Sequence, residues 1–351
     1  MARRIVYDAL IFPTTRDEVR EFTRQSKASG TDFSKSSGGA FGIIAFAFAG
    51  VFVLLIASSF ISVGVRAFLE NPNPVSTLFA VFPLLVVAIL AVVGVSVFRN
   101  SNAWEKWMRL SRFATANGLI YSTQSPNPAY PGSIFTNGHS RRSIDHVRSA
   151  SGRFFDIGNY QYKTGSGKNE TTHNWGFMAF VLDRKLPHMV LDSTANNGLF
   201  GGSNLPATFA KGQRLSLEGD FDKYFALYAP QSYERDALYV FTPDLMALLI
   251  DEAAPFDVEI VDDWMFVYSS SPFTPQDPAH FQRLFRILDT VGAKTLTQTD
   301  RYADERIGDP AINLVAPQGA RLKRGISVGS VVLVVVFVAI WGTSLLGDLF
   351  G

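Results

Sequence analysis

Three long stretches of this chain lack any charged side chain, and they constrain its folding more than any other feature. They cover residues 36–65, 71–98 and 325–347, which are 30, 28 and 23 residues. An apolar helix of roughly 20 residues crosses the hydrocarbon core of a bilayer, and a buried helix of a globular protein rarely lacks a polar face over that length. The sequence therefore predicts three transmembrane helices, at about 39–65, 74–98 and 325–347.

The basic residues beside these stretches predict the orientation of the chain, because Lys and Arg in short flanks are retained in the cytoplasm. The segment 1–38 is basic, whereas the loop between the first two stretches carries only Arg66 and the tail 348–351 carries no basic residue. The flanks predicted to face the inner membrane surface contain Arg99, Lys106, Arg109, Arg321, Lys323 and Arg324. We therefore predict a multi-pass plasma-membrane protein, with its N-terminus and central domain in the cytoplasm and its C-terminus outside.

The central segment, 99–322, predicts a cytoplasmic α+β domain with a mainly antiparallel sheet packed by two or three helices. Alternating apolar residues predict strands in FFDIGNYQY, WGFMAFVL, HMVLD, RLSLEG, ALYVF, DVEIV and WMFVYS. Helices are predicted in WEKWMRLSRFATANGL, DKYFALYA, TPDLMALLIDEAA and DPAHFQRLFRILDTVG, and an N-terminal helix at the capping-box spacing of Thr15 and Glu18. Residues 293–322 are polar and predict a loosely ordered tether.

Composition excludes several classes of function. A net charge of +1 provides no general basic surplus for nucleic acid, and the absence of cysteine excludes disulfides, thiolate metal sites and cysteine nucleophiles. The segment GSGKNET lacks the first glycine and the Ser or Thr of a phosphate loop, so we predict neither nucleotide binding nor a cofactor. The charge-free spans argue against a transporter, which usually places ionisable residues in the membrane.

The adjacent carboxylates Asp262 and Asp263 are the first candidates for a metal site, with Glu218 and Asp220 as possible partners. The sequence alternates cleanly on both sides of the pair, which favours a two-residue turn between strands instead. The five histidines show no close pair at metal-ligand spacing, and no serine lies in a nucleophile-elbow sequence. A membrane-bound metal-dependent hydrolase that uses the acidic stretch 218–263 is therefore the alternative function, and an enzyme is the less favoured class.

The distribution of charge leaves two interpretations open. Residues 215–265 contain 12 acidic and two basic residues, whereas residues 135–214 contain ten basic and five acidic ones. The two segments either form a basic face toward anionic lipid and an acidic face toward a partner, or pair with each other within the sheet. The favoured function is a membrane-tethered cytoplasmic binding or scaffolding module, whose partners are the lipid bilayer and a protein or a second copy of the chain.

Residues 215–270 resemble the C-terminal core of an uncharacterised bacterial family of membrane-anchored proteins. The resemblance lies in FDKYFALYAP and in ALYVFTPDLMALLIDEAAPFDVEIVDDWMFVYS. In that family two N-terminal spans precede a cytoplasmic globular domain, and a third span at the C-terminus departs from this arrangement. The resemblance implies a bacterial envelope protein, actinobacterial in type, and it supplies no catalytic residue.

Overall fold

The computed structural model describes most of the chain outside its long apolar stretches. The described residues are 4–29, 66, 69–70, 74, 103–197, 203–217, 219–274 and 277–325. The chain divides into two compact units, one formed by Met1–Ile11 with Leu110–Gly351 and the other by Phe12–Arg109. Each unit is described by itself.

The regular elements of the described residues are those of an α+β fold. The helices are α1 Asp8–Ile11, α2 Arg16–Ala28, α3 Ala103–Ala116, α4 Glu234–Val240, α5 Pro243–Leu248, α6 Pro278–Ile287, α7 Ala293–Thr299 and α8 Pro317–Ala320. The strands are β1 Leu119–Pro126, β2 His139–Ser149, β3 Phe155–Thr164, β4 Thr171–Ser193, β5 Arg214–Leu215, β6 Phe225–Tyr228 and β7 Asp257–Ser269. One-turn 3-10 helices lie at Ser133–Thr136, Gly167–Asn169, Lys211–Gln213, Phe221–Lys223 and Glu305–Ile307, and π-helical turns at Leu249–Ala253 and Leu288–Gly292.

The prediction of three transmembrane helices is contradicted, because no helix of the described residues is both long enough and apolar enough to cross a bilayer. The continuous helical run 278–299 has sufficient length, but it carries Arg283, Arg286, Asp289 and Lys294. The predicted spans at 39–65, 74–98 and 325–347 lie outside the described residues, apart from their end residues 74 and 325. The predicted plasma-membrane localisation and the predicted orientation depended on these spans, so both predictions are contradicted as well.

The larger unit is built on one antiparallel sheet in which the long strand β4 is central. The strand order is β1-β2-β3-β4-β6-β5, with β7 also paired to β4. The first half of β4 pairs with β3 and its end pairs with β6, whereas β7 runs along its other edge from Gly176↔Ser269 to Leu191↔Val258. The predicted antiparallel sheet is therefore present in the described residues.

The two faces of this sheet are covered by different kinds of structure. On β4, Met178 and Phe180 belong to a core shared with the helices, whereas Phe177 and Ala179 belong to a second core on the opposite face. This alternation follows from the two-residue period of a strand. The helical core includes residues from α3, α5 and α6, and the opposite core is closed by loop residues, including Phe135 and Leu322.

The predicted turn at Asp262 and Asp263 is wrong, because both residues lie within the continuous strand β7. Asp262 adopts a left-handed backbone, with φ 55°, and the ladder with β4 shifts register on either side of it. An extra residue in one strand of a pair reverses which side chains face the core. The alternation therefore restarts after Asp262 without any change in chain direction.

Several local predictions are also corrected. The run ALYVF forms part of helix α4, and DKYFALYA forms a 3-10 turn followed by strand β6. The predicted tether 293–322 begins with helix α7 and includes the buried Asp304 and Leu322. By contrast, the Thr15–Glu18 capping box at the start of α2 and the Asp277 cap of α6 are both confirmed.

The smaller unit pairs α2 with the first half of α3 in its described residues. Phe22 and Trp104 make an edge-to-face contact with ring centroids 6.4 Å apart, and the Thr14 hydroxyl donates to Glu105 at 2.7 Å. Glu105 also pairs with Arg109 at 2.9 Å. A cavity of about 270 Å³ lies between Thr14, Arg20 and Trp104, among others.

Candidate functional site

The buried carboxylate Asp304 holds residues that line a cavity of the larger unit. It accepts hydrogen bonds from the Tyr233 hydroxyl at 2.7 Å, the Ala316 amide at 2.9 Å and the Arg306 amide at 3.0 Å. Burial alone would raise the pKa of Asp304, but these donors outweigh it and lower the pKa below its ordinary value. Asp304 is therefore a fixed anion that holds the segment 301–316 against α4 and the turn before it.

Arg306 is fixed on the same network and does not swing freely. Its guanidinium lies 3.7 Å from the centroid of the Tyr233 ring and pairs with Asp304 and Asp236, each at 3.2 Å. Asp236 in turn accepts the hydroxyl of Tyr302 at 2.7 Å. Stacking on a ring and forked donation to carboxylates are the contacts that suit a planar guanidinium. The floor of the cavity is consequently rigid.

The cavity itself lies between α4 and the start of the 301–306 segment, and has a volume of about 390 Å³. Its lining residues are Arg235, Asp236, Tyr239, Arg301, Tyr302, Ala303, Glu305 and Arg306. The rings of Tyr239 and Tyr302 lie 6.0 Å apart at an angle of 45°. This volume falls within the range of roughly 300–1,000 Å³ that is typical of ligand sites.

Two arginines on the rim of this cavity differ from Arg306. Arg235 and Arg301 are exposed, and neither side chain forms a hydrogen bond or ion pair with another described residue. The cavity lining has three arginines against two carboxylates, Asp236 and Glu305, and Asp236 is already occupied by Arg306 and Tyr302. The rim therefore presents cationic donors whose fork geometry matches a carboxylate or phosphate. We call the residues lining this cavity the arginine pocket.

The predicted metal ligands lie in separate surroundings. Asp262 forms a two-pronged ion pair with Arg321, at 3.0 and 2.8 Å, and the exposed Asp220 lies 4.0 Å from Lys223. Glu218 lies outside the described residues, and no described group of three or more His, Asp or Glu side chains could hold a metal ion. The alternative function, a metal-dependent hydrolase that uses the acidic stretch 218–263, therefore stays untested.

Glu259, a buried carboxylate of the acidic stretch, is a structural acceptor. Its Oε1 accepts from His188 Nε2 at 2.8 Å, and its Oε2 accepts from the Ser133 amide and the Tyr268 hydroxyl, both at 2.7 Å. Burial would raise the pKa of Glu259, but these donors, His188 foremost, lower it overall. His188 Nδ1 accepts the Leu322 amide at 3.0 Å, so the network attaches the segment around Leu322 to the sheet.

Of the residues predicted to face the membrane surface, Arg109 and Arg321 form side-chain contacts within the protein, and Lys323 and Arg324 form backbone contacts. Arg109 donates to Glu105 and to the carbonyl of Phe12, and Arg321 is paired with Asp262 as described above. The backbone of Lys323 bonds twice to the side chain of Gln213, and Arg324 forms an isolated bridge with Phe209. Lys106 lies on α3, partly exposed, and Arg99 lies outside the described residues. These contacts leave their predicted role at a lipid surface untested.

Sequence reasoning missed the arginine pocket because its two sides are about 65 residues apart in the chain. Arg235 was one of two basic residues in an acidic stretch, and Arg301 lay in a predicted tether. A local signal for helix α4 is present in ERDALYV, which has charged residues at its start and apolar residues at helical spacing, but its β-favouring residues predict a strand. The folding of α4 and of the 301–306 segment brings the arginines together.

Comparison with protein-family models and with curated proteins gives no match. Among solved structures, the crystal structure of the mycobacterial trehalose monomycolate transport factor A, TtfA, covers 52% of this chain and 93% of its own, with 11% identity and a TM-score of 0.32. A similarity of this size carries no argument about fold or function. The family resemblance inferred over residues 215–270 therefore stays a prediction.

Proposed function

We propose that this protein is a binding module that uses the arginine pocket to hold an acidic segment of a partner protein. The observation that carries the proposal is a pair of exposed arginines on the rim of a cavity with a rigid floor, Arg235 and Arg301, whose side chains pair with no residue in the part of the chain that the structure describes. Free guanidinium groups on a fixed support bind carboxylates with little loss of conformational freedom.

The surface beside the pocket supports a protein partner over a small ion. Leu238 and Tyr239 are exposed on α4, at 54% and 42%, and Tyr239 also lines the cavity. Tyrosine and arginine are enriched at protein interfaces, where an apolar anchor is flanked by polar contacts. An extended segment with an aromatic or aliphatic residue next to Asp or Glu would satisfy both the apolar patch and the free arginines.

The proposal is tested by measuring fluorescence anisotropy of labelled peptides with the purified full-length chain. The probes are a set of nine-residue peptides in which Asp or Glu flanks Phe, Leu or Trp, together with the same peptides in which Lys replaces each acid. Binding of the acidic set, and none of the basic set, is expected. Because exposed charges are screened within about 10 Å at 0.1 M salt, affinity should fall as NaCl increases.

Two substitutions of equal charge change locate the binding surface. Arg301→Glu should abolish peptide binding, whereas Lys168→Glu, at an exposed position in the β3–β4 hairpin, should leave it unchanged. Arg235→Gln with Arg301→Gln removes both rim cations without adding a negative charge and should weaken binding by at least tenfold. The proposal fails if acidic peptides do not bind, or if Lys168→Glu weakens binding as much as Arg301→Glu.

A further inference from the structure

A serine, a histidine and an aspartate lie in a line across the first three strands, remote in sequence from the residues of the arginine pocket. Ser125 is on β1, His146 on β2 and Asp156 on β3. The Ser125 Oγ lies 2.8 Å from His146 Nε2, and His146 Nδ1 lies 2.8 Å from Asp156 Oδ1. The histidine and aspartate side chains are each 2% exposed, whereas Ser125 is partly exposed.

The hydrogen bonds fix which nitrogen of His146 carries the proton. The Asp156 carboxylate accepts, so Nδ1 is the protonated nitrogen and Nε2 carries the lone pair that faces Ser125. The Ser125 hydroxyl therefore donates to Nε2. This is the order of contacts in which a histidine can remove the proton of a serine nucleophile while a buried carboxylate orients the ring and stabilises its cation.

Local backbone features place His146 in this position. Asp145 has a left-handed backbone, with φ 47°, and the β2–β3 ladder shifts register between Ile144 and Val147. A Cβ added at Gly158 on β3 would lie 2.3 Å from the Cβ and 2.6 Å from the Cα of His146, so His146 can approach β3 this closely only because residue 158 is a glycine. Bulges commonly re-aim side chains next to active sites.

Asp156 is held by a second contact on its other oxygen. The Tyr130 hydroxyl donates to Asp156 Oδ2 at 2.6 Å, and the Tyr130 ring packs edge-on against Phe135 with centroids 5.0 Å apart. Burial first, and the charge of Asp156 second, raise the pKa of Tyr130 above its ordinary value. Tyr130 stays a donor at neutral pH, and the carboxylate is locked toward His146.

Ser125 is on the accessible side of this arrangement. Strand β1 is the terminal strand of the sheet in the described residues, and Ser125 is next to its last residue, Pro126. An extended substrate can approach such an edge without displacing another strand.

We propose that Ser125 and His146 are catalytic residues of an esterase site, positioned by Asp156 and Tyr130, with carboxylic esters as the substrate class. Ser125 Oγ attacks the ester carbonyl carbon as its proton passes to His146 Nε2. That proton is then transferred to the departing alcohol as the C–O bond breaks, leaving an acyl-serine. Water attacks the acyl carbon, gives a proton to Nε2, and releases the carboxylic acid as this proton returns to Ser125 Oγ.

The site is tested on the full-length chain with diisopropyl fluorophosphate, followed by intact mass and peptide mapping, and with p-nitrophenyl acetate as the ester. One phosphoryl group per chain is expected on the peptide that contains Ser125. Ser125→Ala should abolish both labelling and hydrolysis. Ser122→Ala, at a partly exposed position on the same strand, is the matched control and should label at the wild-type rate.

The dependence on His146 separates a catalytic site from an exposed serine. His146→Gln should slow labelling by at least about 100-fold, since general-base catalysis contributes roughly that much or more. Asp156→Asn should change the pH at which the labelling rate rises, an effect that a purely structural role would not produce. Because buried substitutions can unfold a sheet, the near-ultraviolet circular dichroism of each variant is compared with wild type, and the pH profile is also measured on wild type.

The proposal is overturned by any of three results. The first is the absence of an adduct on Ser125, and the second is a labelling rate that His146→Gln leaves unchanged in a folded variant. The third applies if the histidine variant does not fold: a wild-type labelling rate that stays flat between pH 5 and 9 shows that no titrating base assists Ser125.

Discussion

Replacing Glu259 with glutamine probes the buried network that joins β4, β7 and the segment around Leu322. Oxygen Oε2 of Glu259 accepts from Ser133 and Tyr268, and Oε1 accepts from His188 Nε2. A glutamine keeps both bonds to Oε2 if its amide oxygen takes that position. Its NH₂ group then faces the Nε2–H of His188, and a change of tautomer would only move the clash to Nδ1, which receives the Leu322 amide.

The size of the effect follows from the one contact that the glutamine cannot keep. A hydrogen bond to a charged group contributes about 1.5–3 kcal/mol, and a buried donor left unpaired costs about 1–3 kcal/mol. We therefore expect Glu259→Gln to lower the free energy of unfolding by about 3 kcal/mol, toward the lower end of the summed range because the neighbouring chain relaxes.

The assay is urea unfolding at pH 7, followed by tryptophan fluorescence, to which Trp175 on β4 and Trp264 on β7 contribute. Glu170→Gln, a partly exposed carboxylate paired with Lys163, is the control and should change stability by less than about 1 kcal/mol. A loss below about 0.5 kcal/mol for Glu259→Gln, within the range of ordinary surface substitutions, would refute the reasoning.

The pH dependence of the same variant gives an independent check of sign. The pKa of Glu259 lies below its ordinary value of 4.5, so the carboxylate stabilises the fold fully above that value. This contribution is lost as the pH falls through the folded-state pKa. The stability difference between wild type and Glu259→Gln should therefore shrink as the pH falls below about 4.5, and a constant difference would contradict the assignment.

Three further predictions concern the same sheet. Burial foremost, and the nearby charge of Asp192, raise the pKa of Asp257 from its ordinary value of 3.8 to about 7. The stability that this group contributes is therefore lost as the pH rises from 3.8 to 7. Asp257→Asn should raise the urea midpoint at pH 8 relative to wild type and leave it nearly unchanged at pH 4. Gly158→Ala should lower stability by about 1–3 kcal/mol through overpacking against His146, measured as a fall in thermal midpoint. Asp262→Asn removes only a partly exposed ion pair and should cost less than about 1 kcal/mol in the same melts.

Elements with an unambiguous period and cap could be predicted from the sequence. Helix α6 has its cap at Asp277, a proline at the first position and a clear apolar face, and α2 has a capping box. The predicted end of this helix at Gly292 is wrong. A glycine commonly follows the last residue of a helix, whereas here a π-helical turn at Leu288–Gly292 continues the chain into α7. The glycine hydrogen accommodates Phe180, which would lie 3.3 Å from an added Cβ.

The features that the sequence does not predict depend on the pairing register of the strands and on contacts between residues distant in the chain. The reversal of alternation at Asp262 is compatible with a turn or with a bulge, and only pairing with β4 distinguishes them. Strands β1 and β2 lack a regular apolar alternation because β2 buries Ser143, Asp145 and His146. The same property concealed the serine–histidine–aspartate line, whose members are far apart in sequence and become neighbours only through the register of three strands.

The measurement that tests the binding proposal most directly is the side-chain Nε–Hε spectrum of ¹⁵N-arginine-labelled protein, recorded while an acidic peptide is added. The resonances of Arg235 and Arg301, assigned by Arg→Lys substitution, should shift in proportion to peptide bound. Arg184, which donates to the carbonyls of Tyr302 and Pro310, should stay in place. Peptide binding that leaves the Arg235 and Arg301 resonances unchanged would contradict the account.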